Sequence, residues 1–133
     1  MPRRSKPALL ALFASRRSRP TSTADGPGCL YAFSDTAHKW KVGMTSNFAR
    51  RKRQWDRQCP CPSRRWKDPI AVPRRRRAES LAHLLLELKC DDRPRNYCSH
   101  CRKIHCEVFT FTTNRSFTWK RVIRPLLAIA ARA

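Results

Sequence analysis

Cys98, Cys101 and His105, in the stretch CSHCRKIH, stand in a C-x₂-C-x₃-H spacing. Two thiols on a tight turn with an imidazole just beyond suit a zinc ion, and structural zinc takes four ligands. Cys59 is the preferred fourth ligand, because it closes a helix on its inward face; His83, Cys61 and His100 compete with it. A different chemistry is written in KVGMTSNFARRKRQW, residues 41–55. On a helix starting near Asn47, Phe48, Trp55 and Cys59 share one face, and Arg50, Arg53 and Arg57 share the opposite, solvated one. Arg51 falls about 60° from Phe48, at the border of the apolar stripe. There a guanidinium either lays its stem across Trp55 or is held over a cleft, where its planar fork suits a phosphate. Residues 50–77 carry twelve Lys and Arg, among them Arg64, Arg65, Arg74, Arg75 and Arg76, against only Asp56 and Asp68. With Trp55 and Trp66 interleaved, that strip suits salt-sensitive contacts to the DNA phosphate backbone.

The elements that must position these residues follow from pattern. CLYAFS and KWKVG are two runs of strand-forming residues around the turn-like DTAHK, as in an antiparallel hairpin. TSN supplies caps for the helix FARRKRQWDRQC. RWKDPIAV reads as a third strand, with Pro69 confining it to an edge or a bulge. RRAESLAHLLLELK is a helix with Leu81, Leu84, Leu85 and Leu88 along one stripe and Glu79 on the opposite face. DDRPRNYCSHCRKIH reads as a loop, with Cys90 and Cys106 beside it as buried or incidental thiols. CEVFTFT reads as a strand, and RSFTWKRVIRPLLAIAARA as a closing helix bent or restarted at Pro125. The expected fold class is a small mixed α/β (α+β) unit: a short antiparallel sheet, led by a hairpin and flanked by helices, with a zinc-stapled loop.

The stretch GCLYAFSDTAHKWKVGMTSNFARRKRQW resembles the core of the GIY-YIG nuclease superfamily. Cys29-Leu30-Tyr31 stands at the first motif, Lys41-Val42-Gly43 at the second, and Arg51 at the helical arginine. Glu79 in AESLAHLLL matches the family's metal-binding glutamate. KVG, RQWDRQC, ESLAHLLL and CSHCRKIHCEVF together look most like the branch related to the phage T5 Orf172 DNA-binding protein, common as short fungal proteins. The resemblance covers residues 28–112 and also pairs Cys59 with the RQC of that branch. It implies a catalytic set of Tyr31, Lys41, Gly43, Arg51 and Glu79, with Tyr31 near the attacking water, Arg51 on the phosphate and Glu79 holding Mg²⁺ (or Mn²⁺). Cys29 and Lys41 depart from the pattern, since only one of the two signature tyrosines is present. The implied function is therefore a metal-dependent DNA endonuclease, with a non-cleaving DNA-binding module of the same fold as the alternative. A basic ribosome-associated or structural zinc protein is the third reading.

Charge and length bound the rest. Thirty Lys and Arg against nine Asp and Glu leave a net charge of +21 in 133 residues, which calls for an acidic partner. Residues 28–133 form one expected domain ending in the closing helix. Residues 1–27, basic and rich in Ser and Pro, are expected to be a disordered arm outside it. No apolar run reaches the roughly 18 residues a membrane span requires. Seven cysteines, an odd count with a tight pair before a histidine, favour a metal site in a reducing compartment over a disulfide framework. An intracellular location follows, the nucleus first and the mitochondrion as the alternative that the Arg-rich N-terminus allows.

Overall fold

The computed structural model describes residues 4–91, 95–98 and 103–133, with residues 95–98 and 103–106 described by their backbone alone. Strands β1 (Gly28–Ser34) and β2 (Lys39–Thr45) form the leading antiparallel hairpin, with Tyr31 opposite Gly43 and Phe33 opposite Lys41. Helix α2 (Phe48–Gln58) follows, its Asn47 side chain accepting from the Arg50 N–H as the N-cap. The helix stops one residue before Cys59, which is its C-cap.

The expected third strand is two pieces, β3 (Arg65–Trp66) and β4 (Ile70–Val72), both paired antiparallel to β1. Trp66 pairs with Phe33 and Ile70 with Leu30, so four residues advance on the edge strand while three advance on β1. That one-residue excess is a bulge, and Pro69, which has no N–H to donate, sits within it. Strand β7 (Val108–Thr110) pairs with β2 on the other side, completing a five-stranded antiparallel sheet in a mixed α/β domain. The segment read as a loop instead contains a second hairpin, β5 (Arg95–Cys98) with β6 (Lys103–Cys106). The alternation there is too short to distinguish from turn-rich sequence.

Helix α3 (Arg75–Lys89) covers one face of the sheet, joined by the closing helical run. That run begins as α4 (Arg115–Phe117), passes through a π-helical stretch at Thr118–Ile123, and continues as α5 (Arg124–Arg132). The wider turn just before Pro125 accommodates a residue that lacks an N–H and whose ring crowds the preceding turn. Leu30, Ala32, Trp40, Val42, Leu81, Ala82, Leu86, Phe109, Ile123 and Leu127 form the core between these layers. No helix among the described residues is long and apolar enough to cross a membrane.

Residues 6–18, expected as part of a disordered arm, form helix α1 (Lys6–Ser18), which packs along α3 and buries Leu9 completely. Sequence composition pointed away from this because the apolar run is short. Its partner is a second face of α3, where Glu87 is also buried. Arg4 meets that carboxylate through its backbone N–H at 2.9 Å, Nε at 3.1 Å and Nη2 at 2.7 Å. Residue 25 of the same segment organises the other end of α3. Asp25 accepts from the N–H groups of Arg76 (2.9 Å) and Arg77 (3.0 Å), two donors that the helix cannot satisfy itself.

Candidate active site at the free edge of β2

Strand β7 pairs with Lys39, Trp40 and Lys41 and goes no further along β2. Beyond it, the Val42 C=O and the Met44 N–H lie on a sheet edge that no strand among the described residues pairs. Helix α3 passes behind this edge and supplies the missing partners from side chains. His83 Nε2 donates to Val42 O at 2.8 Å, and Glu79 accepts from the Met44 N–H. Residues four apart lie on one helical face, which is why the two can serve adjacent rungs of the same edge.

Glu107 enters from the start of β7. Its backbone takes φ 66°, a left-handed conformation uncommon for a residue with a side chain. The carboxylate comes to lie between the two sides of the sheet edge. One oxygen, Oε2, is 3.1 Å from Lys41 Nζ, and the other, Oε1, is 3.7 Å from His83 Nδ1. Glu79, His83 and Glu107 each present a ligand atom within 4.8 Å of the others. Among the described residues this is where a metal ion could be held by protein side chains.

The charges here are strained. Burial, and then the charge of Glu107, push the Glu79 carboxyl above the usual carboxylate range, against Lys41, the Met44 N–H and Arg51. Burial also lowers the His83 pKa, with Glu107 and the bond to Val42 opposing it. Nε2 carries a proton in that bond, since Val42 O can only accept. Glu87 on the same helix makes a useful contrast. It is more completely buried but lies against a guanidinium, whereas half-buried Glu79 shares its space with another carboxylate.

On the front of the sheet, Tyr31 crosses directly over Gly43. A Cβ at residue 43 would lie 2.5 Å from the Tyr31 hydroxyl oxygen and 2.6 Å from Cζ, so only glycine fits beneath the ring. The Trp55 indole N–H donates to that hydroxyl at 3.0 Å. Lys41 Nζ lies 5.7 Å from the Trp55 ring centre while it holds Glu107. Arg51 is exposed on α2, with Nη1 3.4 Å from Gln54 Oε1, and is near enough to Glu79 for its charge to act there. Lys41 and Arg51 thus both lie close enough to Glu79 for their charges to act on it.

The basic strip divides. Arg50, Arg53, Arg57, Arg65, Arg74 and Arg76 are exposed. Arg75 is half-buried, its stem close against Gly28 and its Nη1 3.3 Å from Pro27 O. Arg64, expected among the DNA contacts, is a structural residue. Its Nε and Nη2 lie 2.7 and 3.2 Å from the two oxygens of Asp35, Nη1 is 3.2 Å from Asp56, and Nη2 donates to Cys59 O at 2.6 Å. The guanidinium also sits 4.5 Å from the Phe33 ring centre and is almost fully enclosed. Its burial would lower its pKa, but Asp35 outweighs that and raises it, so the charge is permanent. Nothing in the local pattern distinguished Arg64 from Arg65, because the carboxylates that capture it come from the turn after β1 and from α2.

Cys59 is buried, Cys61 half-buried. His100 and Cys101, and the side chains of Cys98, His105 and Cys106, lie outside the described residues. Sequence reasoning did not single out Glu107 and weighed His83 only as a secondary candidate. One signal was available for Glu107: carboxylates are scarce in a chain of charge +21, and one immediately before a strand will find a cation.

Residues 28–125 match the model of the T5orf172 domain, which extends the resemblance read from the sequence into the closing helix. No curated protein and no solved structure matches the chain.

Proposed function

The chain belongs to the T5orf172 domain family, and on that premise we propose that it binds DNA and hydrolyses phosphodiester bonds as a GIY-YIG-type endonuclease. The observation that best supports this reading is that the charges of Lys41 and Arg51 both reach Glu79 at the edge of β2, beside a tyrosine packed on the glycine of the second motif. Exposed Arg50, Arg53, Arg57, Arg65, Arg74 and Arg76, with half-buried Arg75, surround the two helices that frame this edge and would hold the phosphate backbone.

In this reading Arg51 neutralises the scissile phosphate with its planar fork. The Tyr31 hydroxyl accepts from Trp55, so its own proton points elsewhere; it orients the attacking water or relays its proton. Lys41 supplies the second positive charge near that hydroxyl. Glu79, a carboxylate pushed up by burial and then by Glu107, fits a cation, with Mg²⁺ or Mn²⁺ as the candidates. A bound divalent ion supplies Lewis-acid charge to the phosphate and leaving oxygen. Zinc on Cys98, Cys101, His105 and Cys59 remains part of the proposal as a structural staple, checked by the metal content of the purified chain.

One observation favours a non-cleaving DNA-binding module instead: Lys41 stands where the second signature tyrosine belongs and is paired with Glu107. Nicking of supercoiled plasmid separates the two. Cleavage with Mg²⁺ or Mn²⁺ is expected from the native chain and is expected to vanish in Arg51→Ala and Glu79→Gln. A folded chain that retards DNA on a gel without nicking it is the binding module.

A further inference from the structure

We infer that Glu79, His83 Nδ1 and Glu107 Oε1 form a mixed nitrogen–oxygen centre for a first-row transition ion, Mn²⁺ in preference to Mg²⁺. The inference rests on the site reading above and deepens it, by adding His83 and Glu107 to the glutamate and so naming the class of ion.

Three independent features of the structure carry it. The first is convergence, with ligand atoms from α3 and from the start of β7 all within 4.8 Å. The second is the imidazole's orientation. His83 Nε2 is committed to Val42 O, and Nδ1 faces Glu107 Oε1 at 3.7 Å. A ligating histidine whose other nitrogen donates to a backbone carbonyl has its tautomer and ring plane set in advance. The third is Glu107 itself, held with positive φ so that its two oxygens are divided between Lys41 and His83. Lys41 Nζ lies on Oε2 at 3.1 Å, and Oε1 faces His83.

The donor set then decides the ion. Mg²⁺ takes oxygen ligands and keeps much of its water, so an imidazole adds little for it. First-row transition ions accept imidazole and carboxylate together, and their affinities rise along the series from Mn²⁺. Manganese serves as the probe, because thiolates compete for it poorly and the cysteines of this chain will not mask the reading.

The test is Mn²⁺ binding to the full chain by calorimetry, with electron-spin-echo spectroscopy of the bound ion. One ion per chain at this centre is expected, bound at least about tenfold more tightly than Mg²⁺, with a ¹⁴N coupling from His83. His83→Gln keeps an N–H donor for Val42 and is expected to abolish the coupling and weaken Mn²⁺ by about tenfold or more. Glu107→Gln, which leaves the His83–Val42 bond untouched, is expected to weaken Mn²⁺ while the coupling persists. Equal affinity for Mn²⁺ and Mg²⁺, a bound Mn²⁺ without nitrogen coupling, or native affinity in His83→Gln would each overturn the inference. Plasmid nicking that needs Glu79 but shows no nitrogen ligand sinks this centre and leaves the nuclease reading standing. Nitrogen-ligated Mn²⁺ on a chain that never nicks DNA does the reverse.

Discussion

Alternate residues of β1 and β2 point to opposite sides of the sheet, and the two sides are filled by different chemistry. Behind it, Leu30, Ala32, Trp40 and Val42 meet the leucines of α3 and the closing helix in a core with little access to water. In front, Tyr31 and Phe33 meet Trp55, Trp66 and Phe48 in a ring cluster with centres 4.7–6.5 Å apart. Cations border that cluster: Arg64 over Phe33, Lys41 near Trp55 and Lys52 near Trp66. Helix α2 buries no residue completely. Packing behind the sheet, Trp40 on Trp119 included, stabilises through buried area, whereas half-buried Phe48, Trp55 and Trp66 in front also offer faces to cations. The back of the sheet therefore holds the fold together, and the front encloses Tyr31 and Phe33 beneath half-buried rings bordered by cations.

Substitutions on the two sides can break that division. Leu86→Ala, behind the sheet, is expected to cost about 2–5 kcal/mol, seen as a lower urea midpoint. A cost under about 1 kcal/mol would mean that the core is not where stability resides. Gly43→Ala, in front, drives a methyl into the Tyr31 ring and is expected to cost roughly 1–3 kcal/mol. Gly26→Ala is its control, since the added Cβ meets only the end of Arg75 at 3.3 Å. Equal effects at the two glycines would remove the packing explanation for the motif.

Smaller changes sharpen the comparison. Trp55→Phe keeps the ring but removes the donor to the Tyr31 hydroxyl, at an expected cost of about 1 kcal/mol. Its larger effect should be on nicking rate, if that hydroxyl handles the water. The smallest effect belongs to Asp25. Burial would raise its carboxyl, but the N–H groups of Arg76, Arg77 and Gly26 and the charge of Arg75 hold it below the usual range. A depressed carboxyl contributes stability that is present above the unfolded value near pH ~4 and lost as pH falls through the folded value. Melting temperatures at pH 7 and pH 3 should thus diverge less in Asp25→Asn than in the native chain.

How far the sequence can be read depends on the distance between partners. The hairpin, α2, α3, the bulge at Pro69 and the restart near Pro125 were legible, because each arises from contacts within a few residues. So was the relation of Arg51 to the apolar face of its own helix. Helix α1 was not legible. Its short apolar run has meaning only against a second face of α3, 64 to 83 residues away at the contacts of Arg16 and Arg4. Arg64 and Arg65 are neighbours of one chemical type, yet one is enclosed by Asp35 and Asp56 and the other is exposed.

By itself the amino-acid sequence determined the order of the elements from β1 to α3, the basic character of the chain and the residue types from which the site is assembled. These depend on periodicity, turn chemistry and charge, which are local or additive quantities. Only the tertiary structure decided that β7 ends at Lys41, leaving two rungs of β2 to be met by Glu79 and His83 and bringing Glu107 beside them. A sheet edge must satisfy its backbone groups with whatever lies alongside, and what lies alongside is set by packing.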